Sequence, residues 1–174
     1  MSQRRPWLKL TSYCISLTCV LWVAGCEQFP KELRAVAPQR SSVARNKDGV
    51  EMIVTATPNS AAPGEMIMYE VTVRTGAIRT PGYFLSATVP NYTTVTLSAS
   101  NAAACSGNKA VCQPGEAIRW NASMLPVQGT KTYYFAAVIA ANAAVQTGAR
   151  LRSIITASEL NLTVYAEPSV GSGK

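Results

Sequence analysis

The chain has 174 residues, a formal net charge of +7 and no histidine. The missing imidazole removes the commonest general base and metal ligand, and the length suits one domain of ordinary size. Arg4, Arg5 and Lys9 contribute to the charge before any folded segment begins, so the excess falls to +4 once this head is set aside.

That head opens the chain. Leu10 to Ala24 is an apolar run of about 15 residues, diluted by Thr11, Ser12, Ser16 and Thr18, whereas a membrane-crossing helix needs roughly 20 mainly apolar residues. A basic start, a short apolar run and small residues before a cut describe a secretory signal over residues 1–25, with an uncleaved helix as the alternative. The closing residues Val23-Ala24-Gly25-Cys26 resemble the lipobox of bacterial lipoproteins. The resemblance implies that Cys26 is acylated and becomes the new N-terminus, carrying enough lipid for stable attachment to a membrane. Gln3-Arg4-Arg5-Pro6-Trp7-Leu8-Lys9 also resembles a twin-arginine export pattern, so both that route and general export stay open. Glu27 in place of aspartate implies, for a Gram-negative cell, passage to the outer membrane.

Residues 26–49 read as a lipidated N-terminus and tether. Pro30, Pro38, Ser41 and Ser42 interrupt any periodicity, and Lys31, Arg34, Arg40, Arg45 and Lys47 outnumber Glu27, Glu32 and Asp48. Extended at roughly 3.1 Å per residue, the segment could hold a domain up to about 70 Å from the lipid. Its charge suits a solvated spacer or one drawn to anionic headgroups. The remainder of the chain is almost neutral, which excludes the concentrated basic face of a nucleic-acid groove.

From Val50 the pattern turns to short β-type runs. Glu51 to Thr57 is a first strand, followed by an Ala62-Pro63-Gly64-Glu65 turn. Met66 to Thr75 places Ile67, Tyr69, Val71 and Val73 on one face, the alternation of a half-buried antiparallel strand. Tyr83, Leu85, Ala87 and Val89 alternate next, and Tyr92 to Ala99 is a β-branched run. Ala117 to Ala122 with Trp120, Lys131 to Ala140, Arg150 to Ala157 and Leu160 to Ala166 complete the series. Seven or eight short strands at this spacing predict an all-β fold, an immunoglobulin-like antiparallel β-sandwich over residues 50–168 with a flexible tail at 169–174.

Pro63-Gly64, Tyr69-Glu70-Val71-Thr72-Val73, Thr88-Val89-Pro90, Cys105, Arg119-Trp120, Gln128-Gly129-Thr130 and Gly148 resemble, in that order, the DUF11 repeat, an immunoglobulin-like module of bacterial surface proteins. Arg74-Thr75-Gly76 and Ala87 stand where that repeat has an asparagine-glycine pair and an aspartate. The chain carries one copy, unlike a repetitive stalk.

Cys14 and Cys19 leave with the signal and Cys26 takes lipid, so Cys105 and Cys112 remain as an even pair and read as a disulfide closing one short loop. Two thiolates without histidine make no metal site. The acids Glu51, Glu65, Glu70, Glu116, Glu159 and Glu167 are scattered, no phosphate loop is present, and neither a catalytic set nor a cofactor is indicated. Trp120 is expected to fill the space between the sheets. Tyr134 is expected opposite Tyr133 and Phe135, as a candidate aromatic binding surface. The expected function is that of a non-enzymatic envelope lipoprotein whose sandwich binds a protein, in a secretion, pilus or adhesion assembly. The alternative is a module for cell-wall or surface glycan.

Overall fold

Alternating burial sets the architecture. In Met66–Arg74, Ile67, Tyr69, Val71 and Val73 are fully buried while Met66, Met68, Glu70 and Arg74 face out, because successive side chains of a strand leave opposite faces. The computed structural model describes residues 42–97, 103–141 and 146–172. The expected signal, Cys26 and the first part of the expected tether lie outside the described residues.

Thirteen strands are described, in chain order: β1 Ser42–Arg45, β2 Glu51–Thr57, β3 Ser60–Ala61, β4 Met66–Arg74, β5 Tyr83–Thr88, β6 Thr93–Thr96, β7 Ala103–Cys105, β8 Val111–Cys112, β9 Ala117–Ala122, β10 Thr130–Ile139, β11 Ser153–Ala157, β12 Leu162–Ala166 and β13 Ser169–Val170. One antiparallel sheet runs β1-β2-β4-β10-β6-β8 and a second runs β12-β11-β5-β9-β7, with β13 and β3 forming a small parallel pair. The two sheets form the expected sandwich. The neighbours β2-β4-β10-β6 and β12-β11-β5-β9 match the A-B-E-D and G-F-C-C′ neighbours of an immunoglobulin domain. Here the chain visits the D-like β6 before the C′-like β9.

The core joins both inner faces. Tyr69 stacks on Phe135 with ring centroids 4.6 Å apart, and its hydroxyl donates to the Leu151 carbonyl at 2.8 Å. Trp120, on the opposing sheet, meets Phe135 and Tyr133 at tilts of 45° and 60°, with centroids 6.1 and 6.0 Å apart. Gly64, at φ +86, supplies the left-handed residue of the turn into β4, closed by Glu65 N–H donating to Ala62 at 3.0 Å.

Four boundaries differ from the sequence reading. The tether does not extend to residue 49: Ser42–Arg45 pairs with β2, Arg45 Nη2 meets Glu51 at 3.1 Å, and Asn46 Oδ1 accepts from the N–H groups of Asp48 and Val50. Ser-Val-Ala-Arg has no apolar alternation of its own, and its strand character comes from the β2 edge. Residues 169–174 are not all tail, since Val170 is buried and β13 seats on β3. The last long strand starts at Leu162, after a 3-10 turn over Ser158–Leu160 that ends with Asn161 in the left-handed region. The preceding one starts at Ser153 rather than Arg150.

The Cys105–Cys112 disulfide is present, and it does more than pin a loop. Cys105 belongs to the edge strand of one sheet and Cys112 to the edge strand of the other. The bond therefore clasps the two sheets along one side of the sandwich. Glu116 braces the adjoining turn: its carboxylate accepts from the Gln113 N–H at 2.8 Å and pairs with Lys109 at 2.9 Å, which hold it below the usual carboxylate range.

Candidate functional site

Among the described residues, β10 pairs on its β6 flank only from Ala137 to Ile139. Ile139 N–H donates to Glu65 on the β4 side, and Ala140 N–H donates to Tyr92 on the β6 side, both at 2.9 Å. Backbone groups of an antiparallel strand alternate in direction, so odd-numbered residues of β10 pair with β4 and even-numbered ones point toward β6. The N–H and C=O of Thr132 and Tyr134 thus face a flank with no strand partner among the described residues.

A cleft of about 530 Å³ opens beside that flank, where the β9–β10 connection crosses between the sheets. Trp120 and Met124 line one side, and Lys131, Tyr133 and Tyr134 the other. Trp120 is 2% exposed, as expected of a core residue, and this removes it as a sugar-stacking platform. Tyr134 is 46% exposed on the outer face, as alternation predicts. Phe84, Tyr92 and Tyr165 are exposed as well.

Tyr83 and Tyr133 share one hydrogen bond between hydroxyls 3.0 Å apart, which uses one of the two phenolic protons. Burial raises the pKa of both tyrosines, so both hydroxyls keep their protons at neutral pH. Lys131 lies on the same strand face as Tyr133 and has no carboxylate partner among the described residues.

Periodicity identified the inward aromatics but missed the site. The cleft depends on which strands the sheets place side by side. Outside the cleft, Tyr134 continues into an apolar surface formed by Met66, Met68 and Val138 on adjacent strands, with Val138 opposite Met66 and Ala136 opposite Met68.

The carboxylates have structural partners. Glu51 and Glu167 pair with Arg45 and Arg152, Glu65 accepts from the Ala62 N–H, and Glu159 accepts from the Phe84 N–H. Among the described residues, no three metal-ligating side chains converge.

No family model matches the chain, and no curated protein matches it. Solved structures similar to it include a family 123 glycoside hydrolase from Clostridium perfringens, at 12% identity and a TM-score of 0.37 over 64% of this chain. The chain spans only 22% of that hydrolase's length. Another is AvmM, which catalyses macrocyclization in alchivemycin A biosynthesis, at 13% identity and a TM-score of 0.41 over 76% of this chain and 96% of the other. Likeness at this level carries no argument about function.

Proposed function

We propose that this protein is a non-enzymatic envelope lipoprotein, anchored through Cys26, whose sandwich binds a protein partner by accepting one of its strands along β10. The observation that carries the reading is the backbone of Thr132 and Tyr134, which has no strand partner among the described residues. Unpaired strand edges are templates for β-augmentation, in which main-chain hydrogen bonds supply affinity and neighbouring pockets supply selectivity. The apolar surface around Met66, Met68 and Val138 adjoins the flank and gives a partner area to cover; methionines suit such a role because they repack readily.

The test places a photo-crosslinking residue at 132 or at 134 in the native host, with positions 43 and 154 as distant exposed controls. The expected outcome is one protein captured from both flank positions and from neither control. Tyr134→Pro should abolish capture from position 132, because it removes an N–H that faces the flank and spares the pairing with β4. Tyr134→Ala should retain capture. Equal capture at all four positions, or capture undisturbed by the proline, would remove strand addition as the mode of binding.

A further inference from the structure

We infer that the end of the sandwich carrying the β4–β5 and β9–β10 connections docks on an anionic bilayer, seating Ile78 and Val127 among the lipids and the surrounding cations among the headgroups. The inference goes beyond strand addition and takes from the proposed function only the anchor at Cys26.

The two connections are joined into one platform. Thr80 N–H donates to the Leu125 carbonyl at 3.0 Å, and the Thr80 hydroxyl accepts from the Leu125 N–H at 2.9 Å. Gln128 N–H donates to the Gly76 carbonyl at 3.0 Å, beside Thr75, whose hydroxyl donates to the Pro126 carbonyl at 2.6 Å and accepts from the Gly129 N–H at 2.7 Å. Ile78 lies between these rungs on one connection and Val127 on the other, and they stay 44% and 53% exposed. Phe84, at the entry of β5 on the same end, is 58% exposed. The backbone thus holds apolar side chains outward in advance, so that docking them requires little further ordering of the loops.

Charge points the same way. Arg45, Lys47, Arg74, Arg79 and Lys131 stand at this end against Asp48, Glu51 and Glu159, whereas the other described residues carry four cations and four acids. Two of the three acids are engaged, Glu51 by Arg45 at 3.1 Å and Glu159 by the Phe84 N–H. Exposed apolar side chains ringed by cations suit an anionic interface, where the apolar groups reach the acyl boundary and the cations are drawn to the headgroups. The anchored end allows contact with the bilayer that holds the lipid. β1 runs from Ser42 toward this end, and Ser42 is three residues, about 10 Å, from Arg45. The 15 residues between Cys26 and Ser42 span up to about 45 Å when extended.

The test uses the full chain, purified with its lipid and reconstituted into phosphatidylcholine vesicles with or without phosphatidylglycerol. A polarity-sensitive dye is attached at Ile78→Cys or Val127→Cys, with Met66→Cys and Ile154→Cys, exposed toward the opposite end, as controls. Dye emission is expected to shift to the blue at 78 and 127 when phosphatidylglycerol is present, and at neither control. Arg79 is exposed, so Arg79→Glu should fold normally. It should lower the ratio of docked to undocked chain roughly thirtyfold, since the reversal removes two charge steps of attraction. No shift at either loop, which would leave this end to a protein, overturns the docking while anchorage and strand addition stand. An equal shift at the controls or without phosphatidylglycerol, or one untouched by Arg79→Glu, does the same. Release of the chain from the vesicles by concentrated salt would remove the Cys26 anchor instead, and the shift in dilute salt would still decide the docking.

Discussion

Three buried tyrosines carry much of the polar logic of the core. Tyr69 donates its hydroxyl to the Leu151 carbonyl, and the Tyr83 and Tyr133 hydroxyls share one hydrogen bond. Burial, the largest cause in each case, raises all three phenols above their usual value. The folded state therefore favours the neutral form more strongly than the unfolded chain does. This contribution to stability is fully present below the ordinary phenol pKa of about 10, and is lost as pH rises above it toward the folded-state values. Urea midpoints should accordingly be flat with respect to these groups between pH 7 and about 9 and fall above about 10. The fall should be shallower in Tyr83→Phe; an equal slope in that variant would show that another group governs alkaline unfolding. Sequence alternation was enough to turn Tyr69, Tyr83, Trp120, Tyr133 and Phe135 inward and Tyr134 outward. It could not pair Tyr83 with Tyr133, 50 residues away, because period two specifies a face and leaves the opposite partner open.

The elements differ in how plainly they were written. β2, β4, β5, β9 and β10 announce themselves through their own alternation, and each lies where the sequence reading puts it, to within a residue or so at the ends. β1, β3, β8 and β13 have four residues or fewer and no apolar repeat, so each exists by virtue of the neighbour it pairs with. The disulfide was legible as a pair of cysteines; its placement across two sheets was not, since that depends on β7 and β8 joining different ladders. Closing so short a loop restricts the unfolded chain by about 2.5 kcal/mol in the loop-entropy view. Cys105→Ser/Cys112→Ser should lose roughly that amount in denaturant titration. Because the clasp holds two sheet edges, amide exchange should accelerate first in β6 and β9 rather than uniformly. Uniform acceleration would reduce the bond to a local loop closure.

At the scale of the whole molecule, an anchored chain has to carry its attachment outside the sandwich. Among the described residues no helix is long and apolar enough to cross a membrane. In the proposed arrangement the lipid at Cys26 is the attachment. Cys26→Ser should therefore move the chain from the membrane fraction to the soluble fraction after alkaline carbonate washing, and should abolish metabolic labelling with an alkyne fatty acid. Retention of either property in the variant would place the anchor elsewhere. The tethered end enters the sheet at β1, three strands across from β10, a lateral distance of about 14 Å at the usual strand spacing. Tension between the anchor and a partner seated on β10 would then run sideways through the ladders β1–β2, β2–β4 and β4–β10. β1 has four residues against the seven of β2 and nine of β4, so the weakest link in that line is the seam at the membrane side. Under load the sheet would shed β1 and lengthen its leash before the grip on the partner gave way.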